Sequence, residues 1–136
     1  GYHDLSRHPE GRRVDGIAIV RFDAPLFFAN AGIFGHYVRT IAASEPRPTH
    51  LILAAEPITS IDSTAIDELI AVDDYLTQAG IDLVIAELKD PVRDRLVRHG
   101  LAGRFSPERF APTVGAAVDT IRGHERTDIG NPSDRN

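Results

Sequence analysis

The chain has no cysteine, no methionine and no tryptophan in its 136 residues. Without cysteine there is no disulfide framework, no thiolate zinc site and no cysteine nucleophile, and the composition fits a reducing compartment. Lysine is nearly absent as well: of the 15 basic residues only Lys89 is lysine. Basic charge is outweighed by acid, and a net charge of −5 argues against a nucleic-acid partner. No apolar run approaches the roughly 18–20 residues that cross a bilayer, and no signal peptide opens the chain. The missing methionine removes the chain's own start residue. The sequence therefore reads as a fragment of a longer polypeptide, or as a chain whose initiator was excised.

Standard chemical motifs are missing too. There is neither G-x-x-x-x-G-K-S/T nor G-x-G-x-x-G, so no standard phosphate cradle is present. The six histidines are scattered, with no i, i+4 pair and no H-E-x-x-H, which argues against a metal site. No serine sits in a G-x-S-x-G elbow. Asp67-Glu68 and Asp73-Asp74 are adjacent carboxylates within one helical segment, and such pairs read as a solvated face. Nothing here recommends an enzyme.

What is present is the composition of one globular domain, 42% apolar and 26% charged, large enough to bury a core without staples. Residues 1–13 read as an irregular linker. Residues 16–22 form a β-branched strand, and Asp23-Ala24-Pro25 a turn. The short apolar run 26–29 reads as a second strand, making an opening hairpin with the first. Asn30 is the expected N-cap of a helix whose apolar face is Phe34, Tyr37, Val38 and Ile41. Strands follow at 51–55 and 82–86, with a short edge strand at 109–111. Helices are expected at about 63–79, from the Asp90-Pro91 start to His99-Gly100, and after a Thr113 cap. From residue 123 to 136 the composition predicts a disordered tail. The order β-β-α-β-α-β-α-β-α implies an α/β fold: one mixed sheet with about four helices packed on it.

Polar residues concentrate at Thr59-Ser60-Ile61-Asp62-Ser63-Thr64. A buried strand precedes them, and Ala65, Leu69, Val72, Leu76 and Ala79 follow at helical spacing. Four hydroxyls and one carboxylate therefore sit where a strand becomes a helix, facing free amides and a positive dipole end. Capping explains one of them, and Thr64 with Asp67 has the capping-box spacing. The rest exceed what a cap needs. In open α/β sheets ligands gather at this kind of edge, which groups Asn30, residues 59–64 and Asp90.

The element order, with Ile61-Asp62-Ser63-Thr64-Ala65 between third strand and second helix, resembles the STAS domain, named for sulfate transporters and anti-sigma factor antagonists. The resemblance covers residues 14–122. A second signature, Gly16-Ile17 through Phe22 and then Ala24-Pro25-Leu26-Phe27-Phe28-Ala29-Asn30-Ala31, is similar to the opening of the cytoplasmic C-terminal STAS domain of SulP-type anion transporters. Tyr2-His3-Asp4, Asp90-Pro91-Val92-Arg93 and Gly100-Leu101 suit the same branch.

The resemblance implies a non-catalytic regulatory module on the cytoplasmic face of the plasma membrane. Its partners would be the transmembrane domain of the same polypeptide and regulatory proteins. It implies no required cofactor. In the antagonists the serine of Asp-Ser-Ser/Thr-Gly is phosphorylated by a partner kinase. Ser63 holds that place, while Ala65 stands where antagonists usually carry glycine. STAS domains are also associated with guanine or adenine nucleotides, and GTP or GDP binding is carried onto Pro25, Phe27, Phe28, Asn30, Ala31, Thr59, Ser60, Asp62, Ser63 and Thr64. The rival readings are a free-standing anti-sigma antagonist and a nucleotide hydrolase. The second lacks any recognisable metal-binding carboxylate arrangement.

Overall fold

The structure, a computed structural model, describes residues 10–130 of the chain, with side chains over 12–124. Five strands form one sheet in sequence order: β1 (Glu10–Val14), β2 (Ile17–Arg21), β3 (His50–Ala54), β4 (Asp82–Ala86) and β5 (Phe110–Ala111). β1 is antiparallel to β2, and the remaining neighbours are parallel. The helices are α1 (Phe28–Ala43), α2 (Ser63–Gln78), α3 (Asp90–Arg98) and α4 (Val114–Gly130), with a 3-10 turn at Pro107–Arg109.

Alternation along the strands divides the apolar side chains between two faces. Ala18, Val20, Leu51, Leu53, Leu83 and Ile85 pack under α1, α2 and α3. Ile17, Ile19, Ile52 and Ala86 meet Ala117 and Ile121 of α4 on the other face. Burial on both faces is what makes these strands read as near-continuous apolar runs. Helix ends follow from local chemistry. Gly80 and Gly100 take positive φ (77° and 83°), and Ile81 and Leu101 donate back to Leu76 and Leu96, the Schellman arrangement. Thr113 Oγ1 accepts the Ala116 N–H at 2.9 Å and opens α4.

The structure corrects the sequence reading at several points. The hairpin partner of β2 lies upstream, so Glu10–Val14 is a strand rather than linker. Asp15 and Gly16, with φ of 44° and 83°, make the two-residue turn for which Asp-Gly is suited. An edge strand needs no apolar face. Arg13 anchors this one by donating to the carbonyl of Ile41 in the last turn of α1 and to those of Ser44 and Pro46 just beyond it. Residues 1–9 lie outside the described part.

Residues 26–29 are not a strand. Leu26 makes an isolated bridge to Ile61, and α1 begins at Phe28. Only Leu26 of that run is fully buried, and Phe28 is 73% exposed. α4 continues to Gly130, so residues 123–130 are helical where composition suggested disorder. Adding residues to a helix already nucleated by docked turns costs little. Residues 131–136 lie outside the described part.

Asp73, read as solvated, is buried at 2% exposure. It accepts from Arg104 at 2.9 Å and from Arg109. These arginines lie on the segment between α3 and β5, about thirty residues away in sequence, so pairing is invisible locally. Hydrogen bonds from Arg104 to Asp74 and then to Asp73 raise the guanidinium's hold on its proton.

Candidate functional site

The two loops that the sequence singled out meet at the C-terminal edge of the sheet. Leu26 and Ile61 form a parallel bridge. Leu26 N–H donates to Ser60 O at 2.9 Å, and Asp62 N–H donates to Leu26 O at 3.1 Å. Each loop thus satisfies the other's backbone, and the starts of α1 and α2 are held side by side.

Asp62 joins them further. Its Oδ1 accepts the Ala65 N–H at 2.9 Å, capping α2. Its Oδ2 accepts the Phe28 N–H at 2.9 Å, satisfying the first amide of α1. One carboxylate therefore serves two helix N-termini, each of which favours negative charge. The cap is Asp62 rather than Thr64, because Asp62 has the extended backbone of an N-cap while Thr64 already lies in the first turn.

Asn30 takes a different part from the one expected. It is not an N-cap but the third residue of α1, fully buried. Its Oδ1 accepts the Phe27 N–H at 3.0 Å and its Nδ2 donates to Pro25 O at 2.8 Å. Asn30 shapes the entry to α1 from within and presents nothing to a ligand. Ala31 is likewise core. Pro25, Phe28, Thr59, Ser60, Ser63 and Thr64 are exposed, while Phe27 and Asp62 are half-buried. The surface of the site is therefore an exposed aromatic on α1 beside four hydroxyls of the α2 entry, with a carboxylate between them.

Behind this edge α1 and α2 pack closely. A Cβ on Gly35 would meet Glu68 Oε1 at 1.9 Å, and Arg39 reaches over to Glu68 at 2.7 Å. Gly32, one turn earlier and exposed, has nothing within 4 Å of the same position. Asp90 opens α3 at the same sheet edge after β4, with Lys89 as the N-cap residue instead.

Lys89 was missed as a site residue. Its Nζ donates to Glu56 O at 2.6 Å and lies 3.7 Å from the Glu56 carboxylate, so it ties the β4–α3 loop to the loop that carries Ser60 and Asp62. The signal was available: it is the chain's single lysine, three residues beyond a parallel strand's C-terminal end. Among the described residues no group of three or more histidines and carboxylates is placed to hold a metal ion. Nor is any described helix long and apolar enough to cross a membrane.

Comparison with known proteins extends this picture. A family model described as the STAS domain matches residues 8–117. Over 123 residues the chain is 32% identical to a Mycobacterium tuberculosis protein named Probable sulfate transporter, a match covering 90% of this chain and 22% of that protein. The chain thus spans about a fifth of the relative's length. Among solved structures, the SulP transporter STAS domain of Vibrio cholerae superposes with a TM-score of 0.67 at 23% identity, covering 90% of this chain and 94% of that one. The anti-sigma factor antagonist SpoIIAA in its unphosphorylated form gives 0.67 at 16% identity, covering 85% and 96%.

Proposed function

The chain belongs to the STAS domain family, and from that premise we propose that it is the regulatory, non-catalytic domain of a sulfate or related anion transporter. The observation that carries this is the 32% identity confined to a fifth of a sulfate transporter. Anion passage belongs to the remaining four-fifths, since no described helix of this chain can cross a membrane. The domain sits at the cytoplasmic face and couples a partner or a covalent mark to the transporter's state. The coupling surface is the edge around Asp62: exposed Phe28 on one helix, exposed Ser63 and Thr64 on the next. A change at either is felt by both helices, because one carboxylate caps the two.

Guanine nucleotide binding at this edge is a weak property in this account. Phe28 offers a face for a purine base. Against it, the two helix N-termini that would attract a phosphate are already occupied by the Asp62 carboxylate, and a phosphate chain must displace or repel it. The rival reading, a free-standing antagonist switched at Ser63, has a likeness of fold alone behind it.

The test is a chimaera in which this chain replaces the matching segment of the Mycobacterium tuberculosis relative, assayed for radiolabelled sulfate uptake. We expect the chimaera to restore uptake that deletion of the segment abolishes. Equal uptake with the segment deleted would overturn the proposal.

A further inference from the structure

The loop that carries Asp62, residues 55–62, runs from the end of β3 to the start of α2 and is attached by its backbone at both ends. Ala55 N–H donates to Ala86 O at 2.8 Å, while Ser60 O and Asp62 N–H are taken by Leu26. Between these attachments the chain turns outward at Glu56-Pro57. Ile58 N–H closes that turn on Ala55 O at 2.9 Å, and Pro57 has no amide to add.

The Glu56 carbonyl at this turn is held from another element. Lys89 Nζ donates to it at 2.6 Å but stands 3.7 Å from the Glu56 carboxylate, whose side chain is 61% exposed. The close contact is therefore a charge-assisted hydrogen bond to the main chain. The ion pair beside it is long and solvated, and such pairs contribute little. Lys89 holds the loop by its backbone.

The root of that lysine is firm. Glu87, just after β4, takes a positive φ of 63° and donates its N–H to Ala111 O of β5 at 3.0 Å. Lys89 O accepts the amides of Val92 and Arg93, both at 3.0 Å, in the first turn of α3. The Arg93 guanidinium lies 4.2 Å from the centre of the Phe110 ring. An arm fixed at the start of α3 thus reaches a loop whose far end carries the Leu26–Ile61 bridge and the Asp62 clamp.

We propose that Lys89 is a strap that couples the start of α3 to the edge around Asp62. With the strap made, the turn at Glu56 is fixed and the bridge to Leu26 stays closed. With it released, residues 56–62 loosen together and the bridge opens more often, so the edge answers to three helices rather than two. The consequence for transport rests on reading that edge as a coupling surface; the strap itself does not.

The experiment is amide hydrogen exchange of the full chain, read by NMR, for the parent, Lys89→Met and Glu56→Gln. The Leu26 and Asp62 amides make the bridge between the loops and report its opening. In Lys89→Met, which keeps an apolar stem and loses the ammonium, both should exchange at least about threefold faster. Glu56→Gln keeps the carbonyl and should leave both rates within a factor of about two. The Ala116 amide, capped by Thr113 on the other face of the sheet, should keep its rate in both variants. Unchanged Leu26 and Asp62 rates in Lys89→Met, an equal effect from Glu56→Gln, or equal quickening at Ala116 would overturn the proposal. None of these readouts involves transport, so failure of the strap and failure of the regulatory reading are told apart.

Discussion

The Asp62 carboxylate holds the Phe28 amide across two helices: 2.9 Å separates its Oδ2 from Phe28 N, while its Oδ1 caps its own helix at Ala65. The residues are 34 positions apart, so this contact is a tertiary clamp as well as a cap.

Removing the clamp should therefore cost more than an ordinary cap. We expect Asp62→Ala to destabilise the domain by about 2 kcal/mol, the upper end for cap removal. Asp62→Asn retains an acceptor and should lose about half of that. Urea unfolding of both variants checks the order. Equal stability of Asp62→Ala and the parent chain would show that the clamp contributes nothing.

Ser63 is the exposed first residue of α2 and takes no part in the cap. A phosphate there adds about −1.5 to −2 charges, which the helix N-terminus favours by roughly 0.3–1 kcal/mol. The neighbouring Asp62 opposes it by about 1 kcal/mol in a solvent-like dielectric. These effects nearly cancel, so Ser63→Glu should melt within a few degrees of the parent. Unfolding of the variant would mean that the position is structural.

Two glycines one turn apart on α1 should respond oppositely to alanine. At Gly32 the added methyl meets nothing within 4 Å, and the gain in helix propensity is about 1 kcal/mol. At Gly35 it collides with the Glu68 carboxylate and Arg39, displacing their ion pair and offsetting the gain. Thermal melts should show Gly32→Ala stabilised and Gly35→Ala unchanged or lower.

The buried carboxylate of Asp73 should be the costliest charge to remove. Asp73→Asn leaves Arg104 and Arg109 without their shared anion, and we expect a loss of about 2–3 kcal/mol, below the fully buried case because both arginines are partly exposed. Asp74→Asn, at an exposed position, should cost under about 1 kcal/mol. Similar losses from the two changes would refute the distinction.

Much of this architecture was legible because burial on both faces leaves an unbroken apolar signature. Residues 51–54 and 82–86 announce parallel strands, and Gly80, Gly100 and Thr113 mark helix ends through local backbone chemistry. β1 was not legible, since an edge strand of Gly11, Arg12 and Arg13 shows no apolar face and is anchored by Arg13 to a distant helix end. Asp73 was misread because it stands beside the exposed Asp74, while its own partners arrive from another loop. At the site, residues 59–64 stood out by excess of hydroxyls. Asn30 had the right location and the wrong role, because burial beside Pro25 turns a cap residue into an internal brace. The sharing of Asp62 between helices is a property of the Leu26–Ile61 bridge, which no local pattern encodes.

The central claim is that the edge around Asp62 transmits state to a transporter. The most direct test is the initial rate of sulfate uptake by the chimaera carrying Phe28→Ala or Ser63→Glu, at matched membrane abundance and with folding verified. The account predicts a change of at least about fivefold, the scale of an interface contact worth ~1 kcal/mol. Uptake indistinguishable from the unsubstituted chimaera in both variants would contradict it.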